Sequence, residues 1–292
     1  MRHNQTTWKS FDGLDLHAQS WDPPAAPPRA VICLVHGLGE HARRYQHVAQ
    51  AFTNAGCSLF TFDLRGHGRS GGPRGHTPSD EAYLKDIDQL LDEAAQVYPD
   101  RPRFIYGHSL GGLLVLFYSL RRRPNLAGVI ATSPALQSPL TQQKLKIALA
   151  RTLAKLTPGG SLPTGLDANG LSRDPQVIAA YQADPLVHDR VTFGWTSVML
   201  SMLAWTAANA AAFPLPLLLM HGEKDPITFA SGSQAFAAAV KTPVMLKIWP
   251  GLLHETHNEP EQAQVLQTML EWVDCRLDGH PSTGLPAAAN NE

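Results

Sequence analysis

The sequence predicts an α/β protein with a mostly parallel central sheet and helices on both faces of that sheet. Short apolar runs typical of strands alternate along the chain with longer segments of helical periodicity, as expected when crossover helices connect parallel strands. Residues 136–212 interrupt this alternation, because they hold helical and Gly/Pro-rich stretches but no convincing strand. We therefore expect a core of residues 1–135 and 213–278, a helical cap inserted at residues 136–212, and a disordered tail at residues 279–292.

Short-range signals place the individual elements. Asp12-Gly13 lies between two strand-like segments and predicts a hairpin, and Pro78-Ser79-Asp80 predicts the start of an amphipathic helix. Further helices are expected where apolar residues recur every three or four positions. In order, the expected elements are strands at Thr6–Ser10, Leu14–Trp21, Ala30–Val35 and Cys57–Phe62, a helix to about Tyr98, strands at Phe104–Tyr106 and Ala127–Thr132, a cap helix at Gln142–Leu156, strands at Leu217–Met220 and Val244–Trp249, and a helix from about Pro260 to Leu277.

The composition narrows the class of function. The net charge is −1 and the pI is about 6.9, so the chain lacks the basic character expected of a nucleic-acid-binding protein. The cysteines are three in number and widely spaced: Cys33, Cys57 and Cys275. They form neither a disulfide framework nor a zinc ligand set, which indicates a reducing compartment. Because the N-terminus also lacks the apolar stretch of a signal peptide, we expect a cytoplasmic protein.

A charge-free stretch from Val191 to Gly222 raises the question of a membrane span. Pro214 and Pro216 interrupt it and argue against a spanning helix. A buried helix followed by a buried strand fits this stretch better.

A sharp turn between a strand and a helix is expected at Ser109. Gly107-His108-Ser109-Leu110-Gly111 fits the G-x-S-x-G nucleophile elbow and separates strand-like Phe104–Tyr106 from helix-like Leu113–Leu120. Glycines are expected at the two ends of the motif, since a Cβ there would collide with the neighbouring strand or helix. Such a turn holds the serine in a strained backbone conformation. The alternative is a glycine-lined turn in which the serine is incidental.

A nucleophilic serine needs an imidazole to take its proton and a carboxylate to orient that imidazole. In this arrangement the acid and then the histidine follow the serine in the sequence. Asp225, in the loop after Leu217–Met220, is the expected acid, with Glu223 as the alternative; a turn or N-cap role would also suit Asp225. His254, after the last strand, is the expected base, whereas its competitor His257 fits a solvated loop histidine better.

An oxyanion hole needs two backbone N–H groups aimed at the oxygen that becomes negative. One is expected from Leu110, directly after Ser109. The other is expected from the glycine-containing loop His36–Glu40 after the strand Ala30–Val35, where Leu38 N–H is the candidate donor. A plain glycine turn is the alternative for that loop.

Two other stretches resemble cofactor or metal motifs without the required context. Gly66–Gly71 matches G-x-G-x-x-G, but Gly72–Pro78 separates it from the next helix, so a nicotinamide cofactor is not expected. The stretch from His254 to Asn258 lacks the second histidine of H-E-x-x-H, because Asn258 stands in its place. We therefore expect no metal ion and no organic cofactor.

Six stretches together resemble a known family: HGLGEHARRY from His36, FDLRGHGRSG from Phe62, GHSLGG from Gly107, SRDPQVIAAYQADPLVH from Ser172, LLLMHGEKDPIT from Leu217 and GLLHETHNEP from Gly251. From about residue 5 to 275, the chain is similar to the monoacylglycerol lipase and lysophospholipase branch of the α/β-hydrolases. GHSLGG is typical of the whole superfamily, whereas HGLGEHARRY combined with the SRDP and DPLVH segment is more specific. The resemblance implies an α/β-hydrolase fold with a helical cap.

The resemblance implies the same site residues and adds three. It assigns Ser109 as nucleophile, Asp225 as acid, His254 as base, and Leu38 and Leu110 as oxyanion donors. It also implies that three side chains bind the polar glycerol end of the substrate: Glu40, Arg44 and His257. The alternatives are a structural ion pair between Glu40 and Arg44, and a surface-loop position for His257.

The function implied is a serine hydrolase that cleaves carboxylic esters of single-chain lipids, typically monoacylglycerol to fatty acid and glycerol, through an acyl-serine intermediate. The alternatives are a lysophospholipase or a short-chain carboxylesterase and, more distantly, a non-catalytic small-molecule receptor on the same fold. The expected partner is a small lipid ester, with no nucleic acid, and the sequence does not indicate the oligomeric state.

The predicted cap helix suggests a second partner. Its leucines share one face, and no acidic residue occurs between Gln137 and Leu166. The basic side chains of this helix are Lys144, Lys146, Arg151 and Lys155. We hypothesise that the cap makes peripheral contact with an anionic membrane surface; an ordinary helix with a solvated basic side is the alternative.

Overall fold

The computed structural model describes residues 1–24 and 27–279. The strands in this part are β1 (Arg2–Lys9), β2 (Asp15–Asp22), β3 (Ala30–Val35), β4 (Cys57–Phe62), β5 (Arg103–His108), β6 (Gly128–Thr132), β7 (Ser161–Pro163), β8 (Arg190–Thr192), β9 (Leu217–Gly222) and β10 (Val244–Trp249). The α-helices are α1 (Gln46–Asn54), α2 (Asp80–Val97), α3 (Leu110–Arg122), α4 (Lys144–Leu156), α5 (Pro175–Ala183), α6 (Phe193–Ala208), α7 (Ala230–Ala239) and α8 (Gln262–Leu277). Apart from Gly279, the predicted tail at residues 279–292 lies outside the described residues, as do the side chains of Lys144 and Lys146.

Eight strands form one sheet in the order β1-β2-β4-β3-β5-β6-β9-β10. Six neighbouring strands of this sheet pair in parallel, in the order β4, β3, β5, β6, β9 and β10. The strands β1 and β2 form an antiparallel hairpin, and β2 joins β4 antiparallel. In the parallel part, β3, β4 and β9 are buried along their whole length, as expected of strands covered on both faces. The predicted mostly parallel sheet is confirmed.

Two buried clusters of apolar side chains lie on opposite faces of the sheet, because successive residues of a strand point to opposite sides. On β3, Val31 and Cys33 belong to one cluster, and Ile32 and Leu34 belong to the other. Helices α2, α3, α6 and α7 contribute to the first cluster, and α1 and α8 contribute to the second. Helices therefore cover both faces, as predicted.

Most predicted elements are present with shifted ends. The predicted start of α2 is confirmed, since Ser79 caps the helix and its hydroxyl accepts the N–H of Ala82 at 3.2 Å. The prediction that residues 136–212 contain no strand is wrong: Ser161–Pro163 pairs antiparallel with Arg190–Thr192. Each of these strands is three residues long, which is too short for an alternating pattern to be recognised in the sequence.

The segment 136–212 contacts loops at the carboxyl ends of three strands. His188 N–H donates to Gly39 O, after β3, at 2.8 Å, and Thr192 N–H donates to Gly75 O, after β4, at 3.0 Å. His254 N–H, after β10, donates to Gly170 O at 3.3 Å. In parallel sheets this edge is where ligands bind. Within residues 1–24 and 27–279, no helix combines the length and apolarity that crossing a bilayer requires.

Candidate active site

Ser109 forms the turn between β5 and α3 with a backbone conformation that non-glycine residues rarely adopt. Its φ is 55° and its ψ is −115°, a combination that costs on the order of 1–3 kcal/mol. Three backbone hydrogen bonds hold it: Ser109 N–H donates to Thr132 O at 2.9 Å, and Ser109 O accepts from Leu113 N–H and Ala135 N–H, both at 3.0 Å. The strained serine turn predicted from the sequence is present.

The glycines around Ser109 are required by close backbone approach. A Cβ on Gly107 would lie 2.1 Å from Gly111 O, and a Cβ on Gly111 would lie 2.0 Å from Val35 O. Neither contact is possible for a side chain, so the end of β5 packs directly on the start of α3 at Gly107, and α3 packs directly on the end of β3 at Gly111. This packing brings the loop after β3 next to the serine.

Asp225 and His254 are joined by a hydrogen bond, although 29 residues separate them in the sequence. Asp225 follows β9, His254 follows β10, and the Asp225 Oδ2 to His254 Nδ1 distance is 2.7 Å. Burial alone would raise the pKa of the Asp225 carboxyl, but the charge of His254 and the hydrogen bonds of His221 and His254 lower that pKa below its usual range. Asp225 is therefore a carboxylate and fixes the proton of His254 on Nδ1.

Burial alone would also lower the pKa of His254, yet the charge and hydrogen bond of Asp225 raise that pKa above its ordinary value. Both side-chain hydrogen bonds of His254 within the described residues involve Nδ1, with Asp225 Oδ2 and Thr228 Oγ1 as partners. Nε2 is thus the ring nitrogen that remains to accept a proton. An imidazole with this tautomer can act as a general base.

The loop after β6 links the serine turn to His254. Ser133 Oγ donates to His254 O at 2.7 Å, while Thr132 and Ala135 on either side of Ser133 hydrogen-bond to the backbone of Ser109. The His254 ring also lies 4.8 Å from the ring of His108, the residue before Ser109. The hydrogen bonds of the described residues do not include one between Ser109 Oγ and His254 Nε2; such contacts often tighten only when substrate is bound.

The loop 36–40 passes beside Ser109. A Cβ on Gly37 would lie 3.3 Å from Ser109 Cβ. His36 fixes this loop: its Nε2 accepts Leu64 N–H at 2.8 Å, so its Nδ1 carries the proton and donates to Gly37 O at 2.7 Å. Burial lowers the pKa of His36 to about 3, so the ring is neutral. Leu110 is the first residue of α3, so its N–H has no partner within the helix.

Glu40 and Arg44 form the structural ion pair that the sequence offered as an alternative, with 2.6 Å between Arg44 Nη1 and Glu40 Oε2. The other oxygen of Glu40 accepts the N–H of Gly37 and the hydroxyl of Tyr45, both at 2.7 Å. Arg44 also binds both carboxylate oxygens of Glu255, at 2.7 and 2.8 Å. Burial would raise the pKa of Glu255, but the charge and hydrogen bonds of Arg44 lower it to about 2.

His257 is buried and does not occupy a surface loop position. Its ring stacks on Tyr45 with ring centroids 4.9 Å apart, and its carbonyl oxygen accepts a hydrogen bond from His47 Nε2 at 2.9 Å. Burial lowers the pKa of His257 to about 3, so this imidazole is neutral.

Sequence reasoning missed the residues that surround the Asp225–His254 pair. Thr228 Oγ1 lies 2.9 Å from Asp225 Oδ2, and His221 Nε2 lies 3.0 Å from the same oxygen. His221 at the end of β9, beside the expected acid loop, could have been noticed as a buried polar residue. Thr228 carried no comparable signal. Among the described residues, no group of three or more His, Cys, Asp or Glu side chains could hold a metal ion.

The parallel sheet, the strained serine turn and the Asp–His pair at the carboxyl ends of the strands define a serine hydrolase of the α/β-hydrolase class. The profile of the family described as Hydrolase_4, serine aminopeptidase, S33, matches residues 26–261. The chain belongs to this family.

Individual relatives are similar over most of the chain. A monoacylglycerol lipase from Mycolicibacterium smegmatis is 40% identical over 277 residues, which cover 94% of this chain and 98% of the relative. A monoglyceride lipase from Homo sapiens is 30% identical, covering 91% of this chain and 88% of the relative. The crystal structure of a monoacylglycerol lipase from Paleococcus ferrophilus has a TM-score of 0.82 and 36% identity, covering 89% of this chain and 99% of that one. The predicted resemblance to this branch is confirmed.

Proposed function

We propose that the protein is a serine ester hydrolase that cleaves monoacylglycerols to fatty acid and glycerol. The observation that carries the proposal is the 2.7 Å hydrogen bond between Asp225 and His254 beside the strained turn of Ser109. The substrate class is supported by the relatives that are 30% and 40% identical over about nine-tenths of the chain or more.

In the proposed mechanism, His254 Nε2 takes the proton of Ser109 as the serine oxygen attacks the ester carbonyl. Asp225 keeps the other ring proton on Nδ1 and stabilises the imidazolium. The N–H groups of Leu38 and Leu110 stabilise the negative oxygen of the tetrahedral intermediate. The imidazolium then protonates the glycerol oxygen as the ester bond breaks. Water repeats these steps on the acyl-serine, releasing the fatty acid and restoring the serine.

Residues 136–212 are proposed as the cap that covers the acyl chain, with residues 1–135 and 213–278 as the core. The contacts of Gly170 and His188 with the loops after β10 and β3 support this division, since those two loops carry the proposed base and one proposed oxyanion donor. A cap at this edge would shield the bound acyl chain from bulk water and provide apolar surface for it, while the water needed for deacylation still reaches the ester carbon.

The glycerol-end assignment of Glu40, Arg44 and His257 remains a proposal, and the contacts favour an indirect role for Glu40. Both Glu40 oxygens already accept protein hydrogen bonds, one from the N–H of Gly37 in the loop 36–40 and the other from the guanidinium of Arg44. Arg44 is likewise held by protein groups, with Glu40 and Glu255 as its ion-pair partners. The Arg44 guanidinium lies over the Tyr181 ring, 4.9 Å from its centroid.

Peripheral membrane contact through α4 is also proposed. Three leucines of this helix are strongly exposed, Leu145 by 85%, Leu149 by 58% and Leu156 by 73%. An exposed apolar stripe next to the basic residues Arg151 and Lys155 is typical of helices that lie on anionic membranes. Contact of this kind would bring the cap to the lipid phase that holds monoacylglycerol.

A panel of esters tests the proposed activity. The kcat/KM of the wild type would be compared on monoacylglycerols of graded chain length, lysophosphatidylcholine and p-nitrophenyl esters, with Ser109→Ala as the inactive control and exposed Ser201→Ala as the matched serine control. We expect the highest kcat/KM on a monoacylglycerol. A higher value on lysophosphatidylcholine or on short p-nitrophenyl esters would replace the proposed substrate with that rival. No hydrolysis by the wild type would favour the receptor alternative.

A further inference from the structure

One oxygen of the Asp225 carboxylate is shared by three side chains. Oδ2 lies 2.7 Å from His254 Nδ1, 3.0 Å from His221 Nε2 and 2.9 Å from Thr228 Oγ1. Oδ1 accepts the backbone N–H groups of Ile227 and Thr228 at 2.8 and 2.9 Å. The carboxylate is therefore held on both oxygens, and a second imidazole uses the same oxygen that orients His254.

The surroundings of His221 fix its tautomer. The ring is completely buried at the end of β9. Its Nε2 lies near two acceptors, Asp225 Oδ2 and, at 2.9 Å, Thr228 O, so this nitrogen carries a proton. Its Nδ1 lies 2.7 Å from Ser233 Oγ on α7. Both ring nitrogens of His221 are thus hydrogen-bonded, and Nε2–H donates towards Asp225.

We infer that His221 is a positioning residue: its Nε2–H holds the carboxylate of Asp225 in place and shares the oxygen that binds His254. The inference rests on the proposed roles of Ser109, Asp225 and His254. Ser233 extends the arrangement by one hydrogen bond, since its hydroxyl polarises the His221 ring and strengthens the Nε2–H donor.

This arrangement affects the pH at which His254 becomes protonated. A donor on a carboxylate oxygen stabilises its negative charge and weakens its attraction for a neighbouring proton. Loss of the His221 donor would therefore raise the pKa of His254 and move the acidic limb of kcat/KM to higher pH, since the base acts only when neutral. The other titratable or charged groups around His254 come from β5, the segment after β3 and the loop after β10, and they remain in such a variant: His108, Glu40, Glu255 and His257, with Arg44 paired to both carboxylates.

Three variants separate positioning from packing. His221→Leu removes the donor and fills much of the space. His221→Gln retains a side-chain N–H donor. Ser233→Ala leaves the imidazole but removes its hydroxyl partner. Met269→Ala is the stability control, because Met269 is buried in the cluster on the other face of the sheet.

The experiment measures kcat and KM on a water-soluble ester from pH 5 to 9, together with thermal unfolding. For His221→Leu we expect the acidic limb to move up by about half to one pH unit. We also expect its kcat to fall about tenfold with little change in KM. His221→Gln should lie near the wild type, and Ser233→Ala should shift in the same direction as His221→Leu by a smaller amount.

Met269→Ala should lower the unfolding temperature and leave the acidic limb of kcat/KM at the same pH. If the wild type is active and His221→Leu has its acidic limb at the same pH as the wild type, the inference about His221 is overturned and the proposed function is not. If that variant does not fold, an unchanged limb in Ser233→Ala would overturn it. A wild type without esterase activity would overturn the proposed function and this inference with it.

Discussion

At the scale of single residues, the site depends on a serine held where its backbone is unfavourable and on a histidine whose proton is fixed by a carboxylate. The strain at Ser109 is offset by hydrogen bonds to Thr132, Leu113 and Ala135. These bonds come from the helix that follows, from the end of β6 and from the loop after β6, so the turn is held by the fold around it. The hydroxyl is thereby presented at the edge of the sheet before any substrate binds.

The Asp225–His254 pair predicts a specific pH dependence. Because Asp225 raises the pKa of His254, activity should be lost as pH falls through a value above the ordinary imidazole pKa of about 6.5.

Asp225→Asn removes the charge and the correct proton acceptor, and kcat should fall by roughly 10³–10⁴-fold. The measurement is kcat/KM between pH 5 and 9, with exposed Asp100→Asn as the matched control. Retention of more than a tenth of the activity by Asp225→Asn would argue against its role.

The sequence predicts the proposed catalytic residues better than the residues that support them. Ser109, Asp225 and His254 each follow a recognisable strand, so the order of the elements is enough to propose them. Ser133 contacts His254 across 121 residues of sequence, and nothing local in its neighbourhood predicts that hydrogen bond. The contacts of Thr228 and His221 likewise depend on how distant loops meet in the folded chain.

At the scale of elements, the strand-to-helix turn requires that α3 approach both β5 and β3 without side chains between them. Gly107 and Gly111 meet this need, because the carbonyl oxygens of Gly111 and Val35 occupy the positions that their Cβ atoms would take. The loop 36–40 after β3 therefore lies against Ser109, and the proposed oxyanion donors come from two elements in direct contact.

Gly111→Ala should disrupt this contact. The new Cβ would lie 2.0 Å from Val35 O, which is backbone and cannot move aside. We expect the free energy of unfolding to fall by about 3 kcal/mol or more. Urea denaturation followed by circular dichroism measures the change. Gly159→Ala, where a Cβ meets nothing within 4 Å, is the matched control and should stay within about 0.5 kcal/mol of the wild type. Equal stabilities of the two variants would contradict the proposed packing.

Apolar strands are predicted best among the elements, and polar ones are predicted worst. The bounds of β3, β4 and β10 agree with the predicted ones. The strands β3 and β4 are buried along their whole length, and β10 is mostly half-buried, but all three have mainly apolar sequences. The strand β1 is exposed along almost its whole length, and it starts four residues earlier than predicted. Its extent is set by backbone pairing with β2, which the identity of its side chains does not reveal. The strands β7 and β8 were missed because three residues are too few to form a recognisable alternating pattern.

At the scale of the whole molecule, the core and the segment 136–212 have different surfaces. The core buries apolar side chains on both faces of the sheet, whereas α4 packs on α6 and leaves an apolar stripe outside. Large exposed apolar side chains in a group indicate a contact surface. The described residues of the core expose single large apolar residues such as Val97, which need no such explanation.

Removal of the α4 stripe should weaken membrane contact. The triple variant Leu145→Ser, Leu149→Ser and Leu156→Ser should sediment less with vesicles that contain anionic lipid, because the apolar area available for insertion is lost. Val97→Ser is the matched control, since Val97 is 54% exposed on a different helix. Activity on a water-soluble ester should be similar in all forms. Equal sedimentation of the triple variant and the wild type would argue against a membrane role for α4.

The central claim, that Ser109, Asp225 and His254 act together, is tested most directly by covalent labelling with a fluorophosphonate. Intact mass and peptide mapping would be recorded for the wild type, Ser109→Ala and His254→Ala at equal probe concentration. We predict one adduct per chain on the peptide that contains Ser109, none in Ser109→Ala, and a labelling rate at least about 100-fold lower in His254→Ala. An adduct on another residue, or equal labelling rates for the wild type and His254→Ala, would contradict the account.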